Sequence, residues 1–177
     1  MNKTLIKLLP ILLLASTILA ACGSHTTQVK SDQARLTDPN VPAPQLDALV
    51  NGNNAFALDL YQTLRTTDGN LFYSPYSISL ALGMTYGGAR GVTEAQMADV
   101  LHFDLPQESL HPAFNQLDLN LARSSVPENK GIQPMQFDIV NAVWGQQGYH
   151  FLPEYLDLLA LNYGAGLYLA DFTTQAE

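Results

Sequence analysis

The residues of this chain that could do chemistry are four histidines, a single cysteine and a serine set against a proline. His25, His102, His111 and His150 are scattered and show no metal-ligand spacing. Neither a Gly-x-Ser-x-Gly elbow nor a His-Glu-x-x-His helix occurs. Ser74 has no His or acid at the spacing that would activate it as a nucleophile, so its expected task is to cap a helix. The histidines are expected on the surface or in polar networks. The run Gly87-Gly88-Ala89-Arg90-Gly91 resembles a phosphate loop only in glycine content. No Gly-Lys-Ser/Thr follows it and a helical pattern precedes it, so it reads as a helix-to-helix turn. Catalytic residues, a metal and a cofactor are therefore not expected, and the chain does not read as an enzyme.

Cys22 is the only cysteine, which excludes a disulfide within the chain. It follows Lys3, Lys7, a short apolar run and the residues Leu19-Ala20-Ala21. That order reads as a secretory signal, too short to read first as a membrane span. With Gly23 behind it, Cys22 stands where a bacterial lipobox places its lipidated cysteine, so residues 1–21 are expected to be a lipoprotein signal peptide and Cys22 the lipid attachment site. Residues 22–46 are rich in Ser, Thr, Gln, Asp, Pro and Asn and are expected to be a flexible tether whose half-deletion leaves the fold intact. The expected location is a bacterial cell envelope or its exterior, lipid-anchored to a membrane. Loss of Lys3 and Lys7 with the signal takes the net charge from −8 to −10. Such a chain does not attract nucleic acid or acidic polymers by charge.

The elements that must position any site are clearest in residues 70–103. Asn70-Leu71-Phe72-Tyr73 is short, aromatic and extended in character. Pro75 ends it, with Ser74 as N-cap and Pro75 at the first helical position, where a missing N–H costs nothing. Ile78 to Met84 is apolar nearly all round, which predicts a helix buried on most sides. Of Ser77 and Ser79, at least one is expected to hydrogen-bond inside the protein. Thr93 and Gln96 read as a capping box, and Met97, Val100 and Leu101 as an apolar stripe.

Upstream, a helix is expected from Asn54, with Phe56, Leu60 and Leu64 on one face. Residues 107–122 carry Leu110, Phe114, Leu117 and Leu121 as a packing stripe and no Lys or Arg, with Pro112 predicting a late start or a kink. Phe137 to Trp144 has apolar residues on both faces, predicting a strand built to be covered on both sides with Trp144 in the core. Lacking one covering partner in these 177 residues, it is expected to expose an apolar surface and an unpaired edge. A helix over residues 151–163, ended by Gly164, follows.

These motifs together resemble the N-terminal part of a serpin. Asn70, Phe72, Ser74, Pro75, Ser77 and Ile78 are similar to that family's N-x-F/x-S-P-x-S-I segment. Gly88, Ala89, Gly91, Thr93 and Gln96 match its turn, and Val100-Leu101-His102-Phe103 its helix end. Tyr163, Ala165, Asp171 and Phe172 are similar to its Tyr-x-Ala…Asp-Phe segment. The resemblance runs from about residue 51 to 172.

The resemblance implies an α+β fold: the helical part and first strands of a serpin, with a central sheet that lacks most of its strands, over residues 47–177. It implies a protein that traps serine, and in some members cysteine, endopeptidases by a suicide-substrate mechanism. A reactive loop near the C-terminus acts as bait and inserts into the central sheet after cleavage. Ser74 and Ser77 would lie beneath that sheet in a buried hydrogen-bonded cluster, with Asn141 beside them. The implied partner is a protease. Heparin is not expected, because residues 107–122 lack basic groups. With the chain ending at Glu177, the expectation is a fragment that does not trap a protease alone. A non-inhibitory serpin-like binding protein and a membrane-tethered interaction module remain open as other readings.

Overall fold

The computed structural model describes residues 27–124 and 139–174. Cys22, His25 and the signal sequence lie outside the described residues, as do Phe137 and Asp138. The elements are β1 (Gln28–Val29), α1 (Ala43–Leu64), α2 (Pro75–Tyr86), α3 (Gly91–Leu101), α4 (Gln107–Ser124), β2 (Val143–Gln146), α5 (Pro153–Tyr163) and β3 (Leu167–Ala170).

Local signals set several helix ends. At α2, Ser74 is in an extended conformation and its side chain accepts the N–H of Ser77, with Pro75 at N1. Gly164 ends α5 with φ +61°, the left-handed geometry that glycine adopts without strain. Pro112 sits inside α4. The helix runs through it, neither starting late nor ending there, and forgoes the one N–H that proline lacks.

Two cores result. The larger gathers Leu49 and Phe56 of α1, Leu80 and Tyr86 of α2, Leu101, Phe103, and Leu110, Ala113 and Phe114 of α4. The smaller lies under the sheet, where Met84, Leu159 and Leu167 meet Val143, Phe151 and Leu169. Close backbone approach joins the helices: a Cβ on Gly52 of α1 would lie 2.2 Å from the carbonyl oxygen of His102, so only glycine fits there.

The sheet has the order β1-β3-β2, with β1 antiparallel and β2 parallel to the central β3. Helix α5 makes the crossover that a parallel pair requires. Only one face is covered. Trp144, register partner of Tyr168, stacks on it at 5.0 Å and is 47% exposed, and Val140 is 87% exposed. Trp144 is therefore not in the core, and the strand region shows the open apolar surface expected where one covering partner is missing. The alternation of a strand sends Val143 to the core and Trp144 to the other face, where no described element packs against it.

Three further expectations fail. Residues 70–73 form no strand, and Phe72 is 98% exposed; an extended segment needs a neighbouring strand to become one. The capping box at Thr93 does not form: α3 begins at Gly91 with Arg90 as N-cap and no side-chain cap bond. Other contacts hold that turn, since Arg90 donates to the carbonyls of Gly87 and Ala89 at 3.0 and 2.6 Å.

Finally, residues 27–46 are not a free tether. α1 already begins at Ala43, eleven residues before the expected Asn54. Ahead of it, β1 pairs with β3, Leu36 N–H donates to Leu161 O at 2.9 Å, and Arg35 bonds Asn115 at 2.8 Å and Asp118 at 2.7 Å. Main-chain and charged hydrogen bonds order a segment whose apolar content is too low to order it.

Candidate functional site

Ser74 and Ser77 come together. Ser74 Oγ lies 3.0 Å from Ser77 Oγ and accepts the Ser77 N–H at 3.3 Å. Ser74 is exposed and Ser77 half-buried, so the pair is not the buried cluster expected. The open end of α2 leaves it uncovered. Ser79, one position into the apolar run, is fully buried and its hydroxyl has no hydrogen-bond partner.

Asn141 is elsewhere. It lines a cavity of about 230 Å³ together with Arg35, Asp118, Asn162 and Tyr163. That cavity touches α2 at Leu80 and Met84. Those residues lie six to ten positions along from Ser74, roughly 9–15 Å at 1.5 Å per residue. The Asn141 side-chain amide is buried there without a hydrogen-bond partner.

The residues that organise this region form a row along α4: Gln107, His111, Asn115 and Asp118, spaced three and four apart and so on one face. Gln107 Nε2 donates to Tyr86 O, Ala89 O and Glu94 Oε1, at 3.2, 3.3 and 2.7 Å, and ties α4 to the α2–α3 turn. His111 Nδ1 lies 2.6 Å from the Tyr163 hydroxyl of α5. Asn115 Nδ2 donates to Leu36 O at 2.9 Å and its Oδ1 accepts from Arg35. Asp118 pairs with the same guanidinium. Sequence reasoning singled out the neighbouring apolar stripe and missed this one. The only available signal was the repeat of polar residues at helical spacing, which exposed helices share.

Burial governs the electrostatics. His111 is 2% exposed and its pKa is lowered to about 4, chiefly by desolvation and secondly by the nearby Arg90 charge. Burial also raises the Tyr163 hydroxyl well above its ordinary range, so it stays protonated and able to donate to His111. The other described histidine contact is at the surface, where His102 Nε2 lies 2.8 Å from Asp59 Oδ2 across α1 and α3. Asp171, after β3, is held well below the usual carboxylate range by hydrogen bonds from Thr173 and then Thr174. Among the described residues no group of three or more His, Cys, Asp or Glu could hold a metal ion. No described helix is long and apolar enough to cross a membrane. The arrangement ties α4 to the α2–α3 turn, to α5 and to the N-terminal segment, and leaves His111 Nε2 and Asn162 Oδ1 buried without a hydrogen-bond partner, as it does the Asn141 amide.

The sequence model of one family, described as Serpin (serine protease inhibitor), matches residues 51–177. The chain belongs to the serpin family. Leukocyte elastase inhibitor of Sus scrofa is 39% identical over 134 residues, covering 75% of this serpin and 33% of that protein. An uncharacterised serpin-like protein of Thermococcus kodakarensis is 40% identical over 111 residues, covering 63% and 25%. Emu ovalbumin (Dromaius novaehollandiae) shares the fold at a TM-score of 0.54 and 24% identity, over 73% of this chain and 35% of that one. The thermophilic serpin tengpin in its native state does so at 0.51 and 19%, over 84% and 35%. This serpin spans about a third of the length of the curated relatives it matches. The helix-rich architecture with its small three-stranded sheet is an incomplete α+β serpin fold.

Proposed function

We propose that this serpin is the scaffold part of an endopeptidase inhibitor directed at a serine-type or cysteine-type protease. The observation that carries the reading is the 39% identity to leukocyte elastase inhibitor, within a family match over residues 51–177. The described residues fit a supporting role: Ser74 caps α2, and His111 and Gln107 stitch helices. Suicide trapping by loop insertion belongs, in this reading, to the longer protein. A mixture of that protein with elastase-like serine proteases is expected to yield an adduct that survives denaturing electrophoresis. The 177-residue chain alone is expected to leave protease activity unchanged. Simple cleavage of the longer protein, with no stable adduct, would sink the inhibitor reading.

The same proposal places the protein at a bacterial envelope membrane, held by acyl chains on Cys22. Each buried methylene contributes about 0.8 kcal/mol, so more than one chain anchors firmly. Cys22→Ala is expected to abolish incorporation of labelled palmitate and to move the protein from the membrane fraction to the soluble one. Unchanged labelling in that variant would rule lipidation out. Heparin binding through α4 is not part of the proposal, since residues 107–122 carry no Lys or Arg and Arg123 in the last turn donates to Thr37 O.

A further inference from the structure

We propose that residues 27–37 form a releasable strap that closes the outer edge of the sheet, with its hold set by Arg35. Its attachment differs in kind from that of every other described element. None of residues 27–37 is buried, and neither core draws a member from them. What holds the segment is polar. Leu169 N–H donates to Thr27 O at 2.8 Å, Leu36 N–H to Leu161 O at 2.9 Å, and Asn115 Nδ2 to Leu36 O at 2.9 Å. The Ser31 hydroxyl donates to Asp157, and Arg123 donates to Thr37 O at 3.1 Å. Arg35 makes the charged contact, forking to Asn115 and Asp118.

A two-residue strand with part-exposed polar bonds belongs to the low-stability end of a fold, where local opening precedes global unfolding. No residue of the strap belongs to either core beneath it. Leu36 and Leu169 would return their N–H groups to water, which limits the cost of opening. A turn follows the strap at Asn40, whose φ is +50°, and α1 starts three residues later. The strap can therefore swing from that turn while α1 keeps its place. When it leaves, the edge of β3 presents unpaired main-chain groups, which is the template for adding another strand. The device regulates whether that edge is open or closed.

The seat is made of glycine. A Cβ on Gly166 would lie 2.8 Å from Gln28 Nε2, 2.9 Å from Lys30 Cβ and 3.0 Å from Val29 O, all of them strap atoms. Gly166→Ala therefore pushes on the strap and on little else. Arg35→Ala weakens the hold from the other side without adding bulk.

Amide hydrogen exchange on the whole chain tests the proposal through the N–H groups of Leu36 and Leu169. In the unaltered protein both are expected to exchange faster than the core amides of α4. Each variant is expected to speed them a further tenfold or so, the loss of about one charged hydrogen bond, while α4 is unchanged. If Leu36 and Leu169 exchange together with the α4 core, in one cooperative step, the strap is an integral part of the fold and the proposal fails. If both variants leave their exchange unaltered, Arg35 and the glycine seat do not set the hold and the proposal fails equally.

Discussion

Replacing Phe114 by Ala is expected to remove about 3–5 kcal/mol of stability, the range for deleting a fully buried aromatic side chain. Phe114 is 0% exposed. Its ring meets Phe103 edge-on at 5.7 Å and lies 6.5 Å from Tyr76 and 6.4 Å from Tyr163. It also closes on the backbone of α2, since a Cβ on Gly83 would come within 3.1 Å of it. One side chain thus joins α2, the end of α3, α4 and the end of α5. Its ring partners sit on α2, on α5 and in the segment just after α3, so the cavity left behind cannot collapse from any one side. Against a typical total of about 5–15 kcal/mol, the loss leaves the domain close to unfolding. Urea denaturation at constant m-value measures it. A change below about 1 kcal/mol would show that the helices close over the gap and that Phe114 is not the keystone of the larger core.

The second large effect is a pH dependence that belongs to His111. In the unfolded chain the imidazole takes up a proton as pH falls through about 6.5. In the folded chain it resists until about 4, because burial and then Arg90 disfavour the cation. Between those values the unfolded state binds the extra proton, so stability falls as pH falls. His111 therefore contributes its full stabilisation above about pH 6.5 and loses it progressively toward pH 4. The slope is about 1.4 kcal/mol per pH unit, reaching on the order of 3 kcal/mol. Carboxylates also titrate at the low end of that window, so the residue-specific readout is the imidazole resonance of His111 in the folded protein. Its midpoint is expected near pH 4. A midpoint near 6.5, or a His111→Gln variant with the same slope of stability against pH, would refute the assignment.

Much of the framework was legible from residues acting on their near neighbours. Ser74-Pro75 predicts the start of α2, and the Ser74 side chain caps it. Gly164 predicts the end of α5. Leu110, Phe114 and Leu117 predict the buried face of α4, and Leu110 and Phe114 are among its most buried side chains. Capping, the fixed φ of proline, the left-handed freedom of glycine and helical periodicity all operate within about one or two turns, so they survive reading along a line.

The readings that failed depended on residues far apart in the chain. Residues 22–46 look like a tether because nothing local holds them. Their ordered part is fastened by Asn115, Asp118 and Leu161, some eighty to more than a hundred residues away. Residues 70–73 have strand composition and find no neighbouring strand among the described residues. The Ser74, Ser77 and Asn141 cluster divides, because Asn141 faces a cavity beside α4 and α5 while Ser74 stays at the exposed tip of α2.

By itself, then, the sequence determined the family, the start of α2 and the end of α5, since the family's motifs and the capping residues Ser74 and Gly164 act locally. The tertiary structure alone decided which polar side chains are buried, which sheet face is open and what holds the N-terminal segment. Burial and long-range hydrogen bonds arise only when separated elements meet, and a glutamine at position 107 or an arginine at position 35 looks the same in the chain whether it faces water or ties three elements together.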